Sequence, residues 1–303
     1  MRRTLLLVAC TGLLSGTAHA QAPAAGPLAL LLPASTRAVS VGNAWVASRE
    51  DASVFYNPAQ IIATNGYGIR LARYGAGATV GTLTSAFAIG NLNLGWGAQY
   101  VGYKVQSSAG YPLAPSDILT RGTRNGTSLV VATGINAVFK GFRTGAGMKY
   151  AEDRLEASSL GVSPDARLNG LILGDVGVSH GLLSGQAALA VQNIGRDDKI
   201  KLPVQTSLGW TRSINTSQVD FAIATEVLAR NGWVGGGGGA EMSYGWLEGY
   251  SASVRAGAHR TETSEQRPIS LGGTMNMDRL TVEYALEFFA RGQNAHHFTF
   301  RWR

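Results

Sequence analysis

The sequence predicts an all-β protein: a transmembrane antiparallel β-barrel of about fourteen strands with an N-terminal plug segment. Composition is the first of three observations behind this. The chain has 40 glycines in 303 residues and only 15% charged residues, against a usual charged share of about a quarter. No window holds the ~20 consecutive apolar residues that a membrane helix requires. The second observation is periodicity, because from Gly66 to Arg303 short runs alternate apolar with small or polar residues. The third is that the connections between runs sort into tight and long sets, as in even-stranded outer-membrane barrels.

Taken in order, residues 1–20 read as a signal peptide. Arg2 and Arg3 form the positive region, Leu5 to Leu14 the apolar stretch and Ala18-His19-Ala20 the small-x-small cleavage site. The single cysteine, Cys10, ends a lipoprotein-like box, Leu7-Val8-Ala9-Cys10, but the apolar run before it is too short for lipidation. Cleavage after Ala20 leaves no cysteine, hence no disulfide or thiol chemistry. Two arginines and no acid leave with the peptide, so the formal charge falls from +7 to +5. Spread over the mature chain, that charge is no nucleic-acid footprint.

Residues 21–63 read as spacer and plug. Leu28 to Leu32 is an apolar run stopped by Pro33 and too short to span a bilayer. From Arg37 to Ile61 the chain shows no strand pattern and ends in Asn57-Pro58-Ala59, where proline fixes φ and removes a donor. That turn reads equally as the lead into the first strand or as a gating element. Arg37, Arg49, Glu50 and Asp51 are placed to pair with lumen charges.

Residues 64–303 read as the barrel. In the ninth run, Val219, Phe221, Ile223, Thr225 and Val227 share one face and Asp220, Ala222, Ala224 and Glu226 the other. In the thirteenth, Leu280, Val282, Tyr284, Leu286 and Phe288 oppose Arg279, Thr281, Glu283, Ala285 and Glu287. The charges on the second face (also Arg255 and Arg301) suit a lumen where they pair or are hydrated. Tight turns are predicted near Asn91, Lys140, Gly181, Asn215, Leu247 and Asn276. Longer connections are predicted at 106–126, 151–168, 195–203, 229–235, 259–267 and 290–295, with a short one at Gly75-Ala76-Gly77. An even strand count puts both termini at the tight-turn, periplasmic end. In the first long loop Tyr111-Pro112-Leu113 and Ile118-Leu119 are apolar, suited to a ligand mouth or a protein contact. At the C-terminus Phe298, Phe300 and Trp302 alternate outward as an interface girdle and assembly signal, although Arg303 follows where an aromatic usually ends such a strand.

No catalytic constellation emerges. Gly235 to Gly239 lacks the Lys-Ser/Thr pair and helix of a phosphate loop, and reads as a flexible strand start or a close backbone approach. His180 and Ser184 straddle a turn with no third orienting group. His296 and His297 point to opposite faces, which is poor metal geometry. Glu283 and Glu287 stand roughly 13 Å apart along one strand, too far for paired acid–base work. No enzyme, metal or cofactor is expected.

Arg37, Ala38, Gly42, Ala44, Trp45, Val46, Ala47, Asp51, Ala52, Ser53, Phe55, Tyr56, Asn57, Pro58 and Ala59 together resemble the opening segment of PorV/PorQ outer-membrane proteins and the related FadL-type transporters. Val191-Gln192-Asn193-Ile194-Gly195 with Leu202-Pro203, and Leu280 running into Tyr284-Ala285, resemble later family segments. The resemblance implies plug or gating roles for Arg37, Gly42, Trp45, Asp51, Asn57 and Pro58. It implies an outer-membrane protein whose partners are the lipid bilayer and the barrel assembly machinery. Two functions stay open: passing hydrophobic small molecules, or acting as a cargo shuttle beside secretion-system proteins.

Overall fold

The computed structural model describes residues 26–302, apart from 108, 110–112, 157–169, 199, 217–218 and 263. The predicted signal peptide and the Tyr111-Pro112 pair lie outside the described residues. Fourteen strands follow a lumenal segment. They are β1 (Tyr67–Tyr74), β2 (Ala78–Ile89), β3 (Leu92–Val105), β4 (Arg124–Phe139) and β5 (Phe142–Leu155). Next come β6 (Leu171–Leu182), β7 (Gly185–Ile194), β8 (Gln205–Asn215), β9 (Val219–Arg230) and β10 (Trp233–Leu247). The last are β11 (Tyr250–His259), β12 (Gln266–Met277), β13 (Leu280–Phe289) and β14 (Asn294–Trp302). Each pairs antiparallel with its chain neighbour, and β1 closes on β14 from Tyr67↔Trp302 to Tyr74↔Ala295. Closure leaves no sheet edge unpaired, the condition for strands to cross a membrane.

Period two sorts the side chains as the sequence predicts. Ile69 and Val254 on the outer surface are 51% and 59% exposed, whereas Glu283 and Arg301 on the inner face are 2% and 7% exposed. An outer surface of this kind fits hydrocarbon. Two inner-face assignments need correction: Asp220 and Arg279 lie exposed at the tight-turn rim, where the strands run out, rather than in the lumen.

Two-residue turns fall at 90–91, 140–141, 183–184, 248–249 and 278–279. Positive φ at Lys140, Gly141, Leu183, Ser184, Gly249 and Asp278 matches the primed turns that suit twisted hairpins. At the other end one expected long connection is absent. Strands β9 and β10 pair through Arg230↔Trp233 and turn at Asn231-Gly232, so Gly235 to Gly239 lies inside β10.

The β3–β4 connection also departs from expectation. Its 3-10 turn (Pro115–Ile118) folds inward, leaving Leu113 and Ile118 fully buried and Leu119 nearly so. This burial takes Leu113, Ile118 and Leu119 out of the exposed apolar patch predicted there, since large apolar groups gain most from leaving water.

Within the barrel, residues 28–61 thread the lumen from the long-loop end to the tight-turn end. Gly26 packs against Pro203, and the Leu28 amide donates to Asp153 near the end of β5. Gly26, the first described residue, therefore lies at the long-loop end and Trp302 at the tight-turn end, because the lumenal segment runs the full height before β1 begins. Regular structure within it is brief. The helix α1 (Thr36–Ser40) is capped by Ser35, whose Oγ accepts from Ala38 N at 3.2 Å. It stops at Gly42 and Asn43, both left-handed. Two 3-10 turns follow, Asp51–Phe55 and Pro58–Gln60. Leu28, Leu32, Val54, Phe55 and Ile61 join Leu113 and Ile118 in one apolar core with the wall.

Candidate functional site

The candidate site is the plugged lumen, where polar wall residues hold the segment 28–61. At the tight-turn end one guanidinium gathers three carboxylates. Arg301 on β14 meets Glu50 and Asp51 of the plug, the latter at 3.4 Å, and Glu283 of β13 at 2.7 Å. Asp51 also accepts from Thr84 Oγ1 on β2 at 2.8 Å, and Glu50 from Ser35 Oγ at 2.9 Å. Three acidic side chains are thus buried together, with Arg301 as their shared counter-charge.

A second anchor lies on β10 and β11. Glu241 accepts from Arg37 of the plug and from Arg255, each at 2.8 Å. The Arg37 guanidinium sits 5.6 Å from the centre of the Trp45 ring. Glu226 on β9 accepts the amides of Trp45 and Val46, both at 2.8 Å. Across the barrel, Lys149 on β5 pairs with Asp175 on β6 at 2.9 Å and donates to Phe55 O at 3.0 Å. Asn57 ties the plug to itself, since its Nδ2 donates to Val46 O at 2.8 Å while its Oδ1 accepts from Ala59 N. Pro58 opens its 3-10 turn, and its carbonyl accepts from Asn136 Nδ2 at 3.1 Å.

Glycines make the room. A Cβ on Gly257 would stand 2.1 Å from Gly42 N, one on Gly239 2.6 Å from Val41 Cα, and one on Gly145 2.4 Å from Ala59 N. Of the two readings of the β10 glycine run, close backbone approach is therefore the observed one. Gly42 itself has φ +68°, and its own Cβ would meet Ala258 O at 2.4 Å.

All six plug positions singled out by sequence thus lie in the lumen, but they do not converge on one centre. Arg37 and Trp45 face β9 to β11, Asp51 faces the β14–β2 seam, and Asn57 and Pro58 face β4 to β6. Arg49 stays exposed and enters none of these pairs. The outward aromatics Phe298, Phe300 and Trp302 are exposed on β14 as expected. The opposite-face reading of the histidine pair matches, since His296 meets Tyr284 Oη at 2.9 Å outside and His297 is buried inside, while His180 stacks on Phe142. Among the described residues no cluster of His, Cys, Asp or Glu is arranged to hold a metal ion.

Sequence reasoning missed two features. The apolar run Leu28 to Leu32 fills the upper lumen, where its only advance signal was four leucines in front of a plug. Beside it lies a cavity of about 180 Å³, bounded by Leu31, Leu32, Tyr74, Trp233, His259 and Phe289 among others.

No protein-family profile matches the chain, and no curated protein matches it. Solved structures do. The toluene transporter TodX of Pseudomonas putida aligns with TM-score 0.56 at 11% identity, covering 87% of this chain and 95% of that one. The toluene transporter TbuX of Ralstonia pickettii aligns with TM-score 0.56 at 13% identity, covering 88% and 97%. A FadL homologue from Pseudomonas aeruginosa gives TM-score 0.53 at 10% identity, covering 89% and 98%. The chain shares the fold of these barrels. At such identities the likeness speaks for architecture, and function must be argued from the lumen.

Proposed function

We propose that this protein is an outer-membrane barrel that passes hydrophobic small molecules, with residues 28–61 as its barrier and no catalytic step. The observation that carries this reading is the cavity itself: a small space against Leu31, Leu32, Trp233 and Phe289, between the plug and the barrel wall. Small-molecule sites are concave, mostly apolar and marked by a few placed polar groups. The transporters named among the structural neighbours are consistent with it. The PorV/PorQ resemblance of the plug also leads to a secretion-partner reading. That reading needs an exposed contact surface, and Leu113, Ile118 and Leu119 are packed inside. On this proposal the barrel assembly machinery inserts the chain through its β14 aromatics.

Uptake by whole cells tests the proposal. Cells lacking the protein should take up a radiolabelled hydrophobe several-fold more slowly, and restoring the gene should restore the rate. Unchanged uptake, together with a secreted protein co-purifying with the barrel, would replace transport by the secretion reading.

A further inference from the structure

Two buried polar groups beside the cavity lack partners. Neither ring nitrogen of His259 makes a hydrogen bond, and the Tyr74 hydroxyl, although the Arg70 guanidinium stands close to it, makes none of good geometry. Both side chains are more than nine-tenths buried. The Gln266 amide stands beside His259 but donates to Glu287 instead, at 2.6 Å. Buried polar groups are normally satisfied, so an unmet donor and acceptor at a cavity wall call for a ligand that supplies them.

We infer that the cavity binds a small, uncharged single-ring compound carrying one hydroxyl, with His259 and Tyr74 as the residues that recognise that group. This rests on the lumen being the ligand's route. Size is the first argument. At about 180 Å³ the space is slightly larger than a ~150 Å³ cavity that accepts benzene, and well below the ~300 Å³ at which drug-sized sites begin. One substituted ring fits, and a long acyl chain does not.

Charge is the second argument. Lys149 and Arg230 in the cavity lining are already paired with Asp175 and Glu262, and Arg70, behind Tyr74, is held by Thr82 and His297. Arg260 stands half-exposed at the rim. Glu226 and Glu287 are buried in the wall, so a ligand carboxylate would enter against two acidic side chains. A hydroxyl, by contrast, both donates and accepts. A neutral imidazole offers one acceptor and one donor, and a phenol offers the same pair on one oxygen. Trp233 and Phe289 supply the apolar faces for the ring.

The test compares three probes with the same ring, p-cresol, toluene and p-toluate, by calorimetric titration of the full-length barrel in detergent against a detergent blank. Cresol should bind about tenfold tighter than toluene, the return from satisfying a buried polar group, and toluate should bind weakest. His259→Leu and Tyr74→Phe should each lower cresol affinity toward that of toluene and leave toluene unchanged. Equal binding of cresol and toluene, tightest binding of toluate, or indifference to both substitutions would overturn the inference while leaving the lumenal route intact. Failure of all three probes to bind a folded barrel would overturn both.

Discussion

Single atoms decide whether the plug fits. Gly257 lies under the backbone of Val41 and Gly42, so a side chain there has no flexible neighbour to push aside. Overpacking of this kind costs about 1–3 kcal/mol, a roughly five- to 150-fold rise in the unseated population. Gly257→Val should therefore leave the barrel heat-modifiable on gels and make residues 28–61 markedly more sensitive to protease. Gly81→Ala is the control, since a Cβ there meets nothing within 4 Å and should change neither readout. Unaltered cleavage in Gly257→Val would mean that the plug is not held by this contact. The glycine content was legible in the sequence, but not its purpose. Wall glycines that admit the plug look the same in one dimension as glycines in turns, because the contact they permit lies far away in the chain, from Gly145 to Ala59 or from Gly257 to Gly42.

At the scale of elements, the plug and the closing strands are fastened through Arg301. Replacing it with methionine leaves Glu50, Asp51 and Glu283 buried without their shared cation, a loss of about 3–5 kcal/mol. Arg301→Met should melt earlier at pH 8 and recover much of the difference by pH 5, as the carboxyls take up protons. The unaltered protein should show a weaker form of the same trend. Its Glu50 carboxyl is buried beside those of Asp51 and Glu283 as well, but it keeps Arg301 as counter-charge. Thermal unfolding followed by circular dichroism from pH 5 to 8 measures both, and a flat profile for Arg301→Met would contradict the arrangement. Sequence placed the strands well because each wall strand writes its own alternation. It misjudged the β9–β10 turn and the β3–β4 loop for a shared reason: neither a glycine run nor an apolar loop states what it packs against.

For the whole molecule, the number of strands sets the bore and the lumenal segment sets whether the bore is open. A barrel of this size without its filling would hold a water channel. Deleting residues 28–61 while keeping β1 to β14 should convert a protein silent in planar bilayers into one with steady ion conductance. Silence of the deleted form, once shown to be folded by heat modifiability, would mean that the inward-folded β3–β4 loop seals the lumen by itself. The fold class was readable from composition and alternation together. The cavity was not, because its walls come from the plug and from strands at both ends of the chain, including Tyr74 of β1, Trp233 of β10 and Phe289 of β13. Asp51 is gripped from β2 by Thr84 and from β14 by Arg301, on either side of the seam where the barrel shuts. Sealing and closing therefore share residues: Arg301 holds the plug from the same strand whose pairing with β1 shuts the ring.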